Sequence, residues 1–224
     1  TIVKKRFLDN VGNKKVLGVY TINDENLKHN DEIKFKNYLK KNLKKFDLVI
    51  VSDYGHGFVS KENAKIICKN SKYLALNAQV NAANIGYHSM RKYNNINCVI
   101  INETELRHEL RNKNEKIEIL MKELSSERKI HNLRVTRGKD GSILYNNNEN
   151  KFKYSEAFAS DQVDKIGAGD AMLALSALCL KLKLDKSLSL LLGSLAAAQS
   201  VETIGNKQKV NKAKILKSLE NITK

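Results

Sequence analysis

The sequence has no proline and no tryptophan in 224 residues, and only three cysteines. Average proline usage near ~5% would give about eleven. Lysine, asparagine and isoleucine are abundant throughout, so the bias reads as AT-rich coding drift rather than selection for a basic patch. Cys68, Cys98 and Cys179 are far apart, lie in apolar segments and form no C-x-x-C pair. That excludes a disulfide framework and points to a reduced, cytoplasmic chain with buried thiols. The five histidines lack metal-ligand spacing, which argues against a zinc site. No apolar run is long enough for a bilayer, since the longest ends at Leu180 and is cut by Lys181. No signal-peptide pattern is visible either, and no membrane partner is expected.

What is plentiful is positive charge, +16 from 40 Lys+Arg against 24 Asp+Glu. Such an excess can mark a nucleic-acid or anionic-surface partner. Here the lysines are scattered, with short clusters only at Lys40-Lys41 and Lys44-Lys45 and no aromatics interleaved for base stacking. No nucleic acid is expected; a basic nucleic-acid binder stays as a rival that predicts salt-dependent retention of DNA or RNA. With 42% hydrophobic residues the chain can bury one substantial core, and one domain is the simplest count.

Apolar strand runs alternate with helical patterns. Strands are expected at Phe46–Ser52, Tyr73–Asn77, Asn97–Ile101, Leu133–Thr136, Gly141–Tyr145 and Phe152–Tyr154. Helices are expected at Lys61–Asn70, Glu103–Leu110, Glu115–Ile130, Gly169–Leu182, Lys186–Val201 and Asn211–Asn221. This order predicts an α/β fold, a mostly parallel sheet with helices on both faces. The opening, with short strands and a turn at Gly12-Asn13, fits a small β lid near the N-terminus.

Three short patterns carry chemistry. Asp164-Lys-Ile-Gly-Ala-Gly-Asp170 opens an apolar helix with two glycines around an alanine and an acid just inside. Free N–H groups and the aligned peptide dipoles at a helix start attract anions. An acid beside such a cradle suits proton abstraction from an incoming hydroxyl, and the pairing points to phosphoryl transfer; a plain glycine turn with a first-turn acid uses the same residues. Val135-Thr-Arg-Gly-Lys-Asp-Gly141 follows a strand and reads as a close-approach loop or as a hairpin turn. Asn102-Glu-Thr-Glu105 reads as a ligand-facing pair or as a helix cap.

With these segments in order, the chain resembles the ribokinase-like (PfkB) carbohydrate kinases. The match is to their D-T-x-G-A-G-D, T-x-G-x-x-G and N-x-x-E signatures, with a softer likeness over Ala196–Gly205. The resemblance implies that Gly167, Ala168 and Gly169 form an oxyanion cradle and that Asp170 is the catalytic base. It implies nucleotide contacts from Thr136, Gly138, Gly141, Asn102 and Gly205, and a water-mediated role for Glu105 on magnesium. ATP and Mg²⁺ are the implied cofactors. Ser52-Asp-Tyr-Gly-His-Gly57 is similar to the heptose-phosphate kinases within the family, with His56 in place of their lysine, and suggests acceptor contacts from Asp53, Tyr54 and Gly57. Lys4 and Arg6, on lid-like strands, would contact phosphate. Leu76–Asn84 departs from the Asp-Pro-Lys of those kinases, and Asn77, Gln79 and Asn81 read equally well as a polar loop.

The implied function is ATP-dependent phosphorylation of a sugar or sugar-phosphate hydroxyl. The alternative is a non-catalytic nucleotide-binding or scaffold module of a larger kinase–nucleotidyltransferase protein. The family's opening strand and early glycine pair have no counterpart, which implies a partial domain that need not be active alone: residues 1–22 as lid strands and 23–224 as the nucleotide-binding core. The resemblance also allows a homodimer and a fused nucleotidyltransferase domain.

Overall fold

The computed structural model describes residues 2–9, 15–23, 25–80, 84, 86, 88–158, 167–201 and 209–222. Two sheets organise them. Strands β1 (Val3–Leu8) and β2 (Lys15–Thr21) pair antiparallel as a separate ribbon, the small N-terminal sheet expected from the sequence. The main sheet has six strands in the order β3 (Val49–Asp53), β4 (Leu74–Ala78), β5 (Ile96–Asn102), β6 (Ile130–Thr136), β7 (Ser142–Asn146) and β8 (Lys151–Ser155). The first four run parallel and the last two close as antiparallel hairpins.

Strand periodicity explains the helices on both faces. Alternate side chains of one strand point to opposite sides of the sheet. Leu74, Leu76 and Ala78 of β4, with Val99 and Ile101 of β5, join one core cluster. That cluster takes Leu39 from α1 (His29–Asn42), Ala64 and Ile67 from α2 (Lys61–Asn70), Leu106 from α3 (Glu103–Leu110), and Leu120 and Leu124 from α4 (Ile117–Arg128). The intervening Ala75, Cys98 and Ile100 join Met172, Leu173 and Ala177 of α5 (Ala168–Lys181) and Ala197 of α6 (Lys186–Val201) on the other face. Helix α7 (Lys212–Ile222) packs Ile215 on Leu195 and Ala196 of α6. Burial of each fully enclosed Leu or Ile contributes about 1.5–3 kcal/mol. Among the described residues no helix is long and apolar enough to cross a membrane.

Several boundaries differ from the sequence pattern for identifiable reasons. The pattern assigns nothing to 29–42, yet α1 forms there; only Leu39 is buried and no side chain caps its start, so it carries little signature. Helix α4 stops at Arg128 rather than Ile130 because Lys129 is left-handed, with φ 52. That turn frees Ile130 to begin a seven-residue β6. The cysteines are free as expected, but Cys68 is half-buried where a buried thiol was expected.

Candidate active site

Ligands of open α/β sheets gather beyond the carboxyl ends of the parallel strands. Here a cleft of about 1850 Å³ opens there, bordered by the ends of β3, β5 and β6, the start of α5 and the N-terminal ribbon. Its geometry begins with the alternation of β3. Ser52, Asp53 and Tyr54 all border the cleft, but Asp53, between the other two, is only 4% exposed. Inside, Asp53 pairs with Lys92 Nζ at 2.7 Å and accepts hydrogen bonds from Tyr93 OH at 2.8 Å and Gly55 N–H at 3.0 Å. Burial pushes its carboxyl up, but the Lys92 ammonium, with Gly55 and Tyr93, outweighs that and holds the pKa below its ordinary value. Asp53, expected at the acceptor, thus has its hydrogen bonds within the protein and anchors the turn.

The two outward residues meet the expected base. Ser52 Oγ donates to Asp170 Oδ1 at 2.9 Å and Tyr54 OH donates to Asp170 Oδ2 at 3.1 Å, across more than a hundred residues of sequence. Asp170 itself is exposed to the cleft. Burial, with the Asp170 carboxylate adding to it, raises the Tyr54 phenol pKa. Lys4 Nζ stands 5.4 Å from the Tyr54 ring and 6.0 Å from that of Tyr20, bringing the ribbon over this end of the cleft. Arg6 and His56 border the same space; Gly57, with φ 79, shapes the turn between His56 and Phe58.

Asp170 stands in the first turn of α5. Gly167 enters that turn left-handed, φ 83 and ψ −8, with no side-chain cap. The first intrahelical bond is Ala171 N–H to Gly167 O at 2.9 Å, so the amides of Ala168, Gly169 and Asp170 precede the helical ladder. Among the described residues outside its own helix backbone, a Cβ built on Gly169 would meet nothing within 4 Å, so this cradle is open there. The preceding residues 164–166, and Gly205 and Asn81, lie outside the described residues.

The remaining expected residues divide between cleft and scaffold. Asn102 Oδ1 accepts from Glu105 N–H at 2.8 Å and Glu105 Oε2 accepts from Asn102 N–H at 2.8 Å, a complete capping box. Glu105 Oε1 also takes Val80 N–H at 3.0 Å. Burial pushes the Glu105 carboxyl up, against the pull of those two amides. Among the described residues no three His, Cys, Asp or Glu side chains gather as a metal site. With both oxygens engaged by amides, Glu105 fits a hydrated ion across water and not a bare one.

Thr136, Gly138 and Gly141 border the cleft on the β6–β7 hairpin, where Arg137 N–H closes on Gly141 O at 2.8 Å. Gly138 is open to a ligand, but a Cβ on Gly141 would lie 1.9 Å from Ser155 O. Gly141 is therefore required by the chain's own packing. Asn77 Nδ2 donates to Ile100 O at 2.7 Å and Gln79 N–H to Asp53 O at 2.9 Å, so both tie strand ends together while bordering the cleft.

Sequence reasoning missed the arginines at this end. Arg107 and Arg137 share Glu103, at 2.7 and 3.2 Å, and all three border the cleft. Arg137 sat inside the quoted loop without a role; the i, i+4 spacing of Glu103 and Arg107 was the available signal. Also missed was Asn84, 3% exposed, whose Nδ2 donates to Tyr54 O and Gln79 O, both at 2.8 Å.

A sequence profile of the pfkB family carbohydrate kinases matches residues 10–213, and the chain belongs to that family. Its curated relatives include the bifunctional protein HldE of Campylobacter fetus, 28% identical over 180 residues, covering 77% of this chain and 36% of that one. The bifunctional protein HldE of Campylobacter jejuni strain RM1221 is 27% identical over 167 residues, covering 73% and 35%. The chain thus spans about a third of the length of these relatives. Among solved structures it resembles the ribokinase of Thermotoga maritima, with TM-score 0.72 and 17% identity over 99% of this chain and 70% of that one. It also resembles Arabidopsis thaliana ribokinase complexed with ribose and ATP, with TM-score 0.67 and 19% identity over 91% and 65%.

Proposed function

We propose that this chain transfers the terminal phosphoryl group of ATP to a hydroxyl of a sugar or sugar phosphate, with a heptose phosphate as the favoured acceptor class. The observation that carries the reading is Asp170, exposed at an uncapped, open helix start and held between Ser52 Oγ and Tyr54 OH. Two donors fix the carboxylate while leaving it lone pairs for an acceptor proton. Asp170 serves as the base, and the amides at Gly167, Ala168 and Gly169 stabilise charge on the transferred group. Catalysis of this kind is mainly positioning and electrostatics, which a preorganised helix terminus suits.

Thr136 and Gly138 contact the nucleotide, and Gly205 belongs to the same proposal from sequence alone. Magnesium, when bound, would neutralise charge on the phosphates; Glu105 would reach its water shell, and Asn102 beside it would contact the nucleotide. Lys4 and Arg6, on the lid formed by residues 1–22, supply positive charge for an acceptor phosphate. A cytoplasmic homodimer with a fused nucleotidyltransferase domain is part of the proposal, in keeping with relatives described as bifunctional.

The test is ADP release from Mg-ATP by the full-length protein against a panel of sugars and sugar phosphates. Release that depends on a heptose phosphate supports the reading. Nucleotide binding with no acceptor-dependent ADP across the panel refutes it and leaves a nucleotide-binding module.

A further inference from the structure

The cleft wall at its β6–β7 end conceals a full positive charge. Arg134 of β6 is 1% exposed, and no carboxylate among the described residues pairs with it. Its Nε and Nη2 donate to Ser142 Oγ at 3.1 and 2.9 Å, and its Nη1 donates to Ser176 Oγ at 2.9 Å. Nη2 also reaches Ser194 Oγ at 2.7 Å and Leu190 O at 3.1 Å. Room has been made for this group: a Cβ on Gly193 would lie 2.4 Å from Arg134 Nη1 and 2.1 Å from Ser176 Oγ. A desolvated cation held only by neutral oxygens costs stability that an apolar side chain would not. Burial accordingly lowers the Arg134 pKa to about 10.

Counting protons shows what the arrangement does. A serine hydroxyl has two acceptor lone pairs and one proton. Ser142 Oγ accepts twice from Arg134, so both lone pairs are engaged and its proton must be donated elsewhere. Ser142 and Ser194 both border the cleft, and Ser142 is the cross-strand partner of Thr136 in the nucleotide loop. We propose that Arg134 is a positioning residue that locks the Ser142 hydroxyl as a donor toward acceptor atoms in the nucleoside part of a bound nucleotide. Its uncompensated charge favours electron-rich ligand atoms at this end. The inference rests on the nucleotide reading above and adds to it the residues that hold the nucleoside. In the strand order, β6 lies three inter-strand spacings from β3, about 14 Å. The effect therefore falls on nucleotide affinity and not on the acceptor.

The experiment is calorimetric titration of Mg-ATP into wild type, Ser142→Ala, Arg134→Lys and the double variant, each checked for folding by circular dichroism. The KM for the acceptor is measured alongside. Ser142→Ala and Arg134→Lys should each weaken ATP binding about tenfold, the scale of one buried hydrogen bond to a ligand. The double variant should be no worse than the weaker single, since both act through one hydroxyl. The acceptor KM should stay within about twofold. A folded Ser142→Ala that binds ATP as wild type does, single effects that multiply in the double variant, or an equal loss for the acceptor each overturns the inference. A wild type that binds no ATP overturns the nucleotide reading as well, so the two failures are distinguishable. Should Arg134→Lys not fold, Ser142→Ala alone decides.

Discussion

Helices α3 and α5 both begin at the carboxyl end of the sheet and border the same cleft, yet α3 closes its first turn on itself and α5 does not. In α3 the Asn102 side chain and Glu105 satisfy each other's amides, and the spare Glu105 oxygen takes Val80 N–H. In α5 a left-handed glycine stands where a capping side chain would, and the acid in the first turn is held by hydroxyls from β3. Orphan amides at a helix start need partners. Where the chain provides them the first turn is satisfied internally; at α5, beside the open cleft, no side-chain cap is present among the described residues. The two acids follow suit: Glu105 is buried with a raised pKa, and Asp170 is exposed to the cleft.

Breaking that contrast should separate turnover from stability. The largest effect is expected at Asp170→Asn, with turnover lower by about 10²–10⁴ and ATP affinity within about threefold of wild type. Unchanged ADP release would remove Asp170 from the chemistry. Next comes Asp53→Ala, at the cleft's edge but with its carboxylate buried against Lys92. Removing it strands the Lys92 ammonium and should cost about 3 kcal/mol, read as a lower denaturant midpoint. The sign with pH follows from its depressed pKa. Its contribution is complete above the unfolded value near ~3.9 and is lost as pH falls through the folded value. Wild type should therefore lose its advantage over Asp53→Ala in acid. An advantage that stays constant from pH 6 to pH 3 would contradict the pairing. Third is Glu105→Ala, which orphans the Asn102 and Val80 amides at the capped end. About 2 kcal/mol, or about 6 °C in Tm, should be lost.

Legibility in the sequence followed the same divide. The sheet was readable because Leu74–Leu76 and Cys98–Ile101 are continuous apolar runs, as two-face burial demands. The start of α5 was readable because glycines directly before an apolar run mark a helix entry, which Gly167 makes with φ 83. The internal partners of Asp53 were not legible, for a plain physical reason. Strand alternation puts neighbours on opposite faces, and a polar triplet Ser52-Asp53-Tyr54 does not say which of its members is inside. Its partners Lys92 and Tyr93 are some forty positions away, invisible without the fold. Gly141 taught a similar lesson. A glycine that a motif assigns to the nucleotide is required here by Ser155 O on the next strand.

The smallest change expected in stability gives the finest test of the contrast, at Gly169→Ala. Among the described residues outside its own helix backbone, a Cβ there meets no atom within 4 Å, and the residue lies in the helical first turn. Alanine is the better helix former by up to about 1 kcal/mol, so Tm should hold or rise slightly. If the open amides serve only the helix, nothing else changes. If they cradle a phosphoryl group, the added methyl stands where that group must sit. The KM for ATP should then rise about fivefold or turnover fall comparably, in a protein at least as stable as wild type. The matched substitution Gly141→Ala should do the reverse and unfold the β7–β8 corner, because there the methyl meets backbone. A Gly169→Ala variant with unaltered kinetics would make the α5 terminus a structural helix start and nothing more.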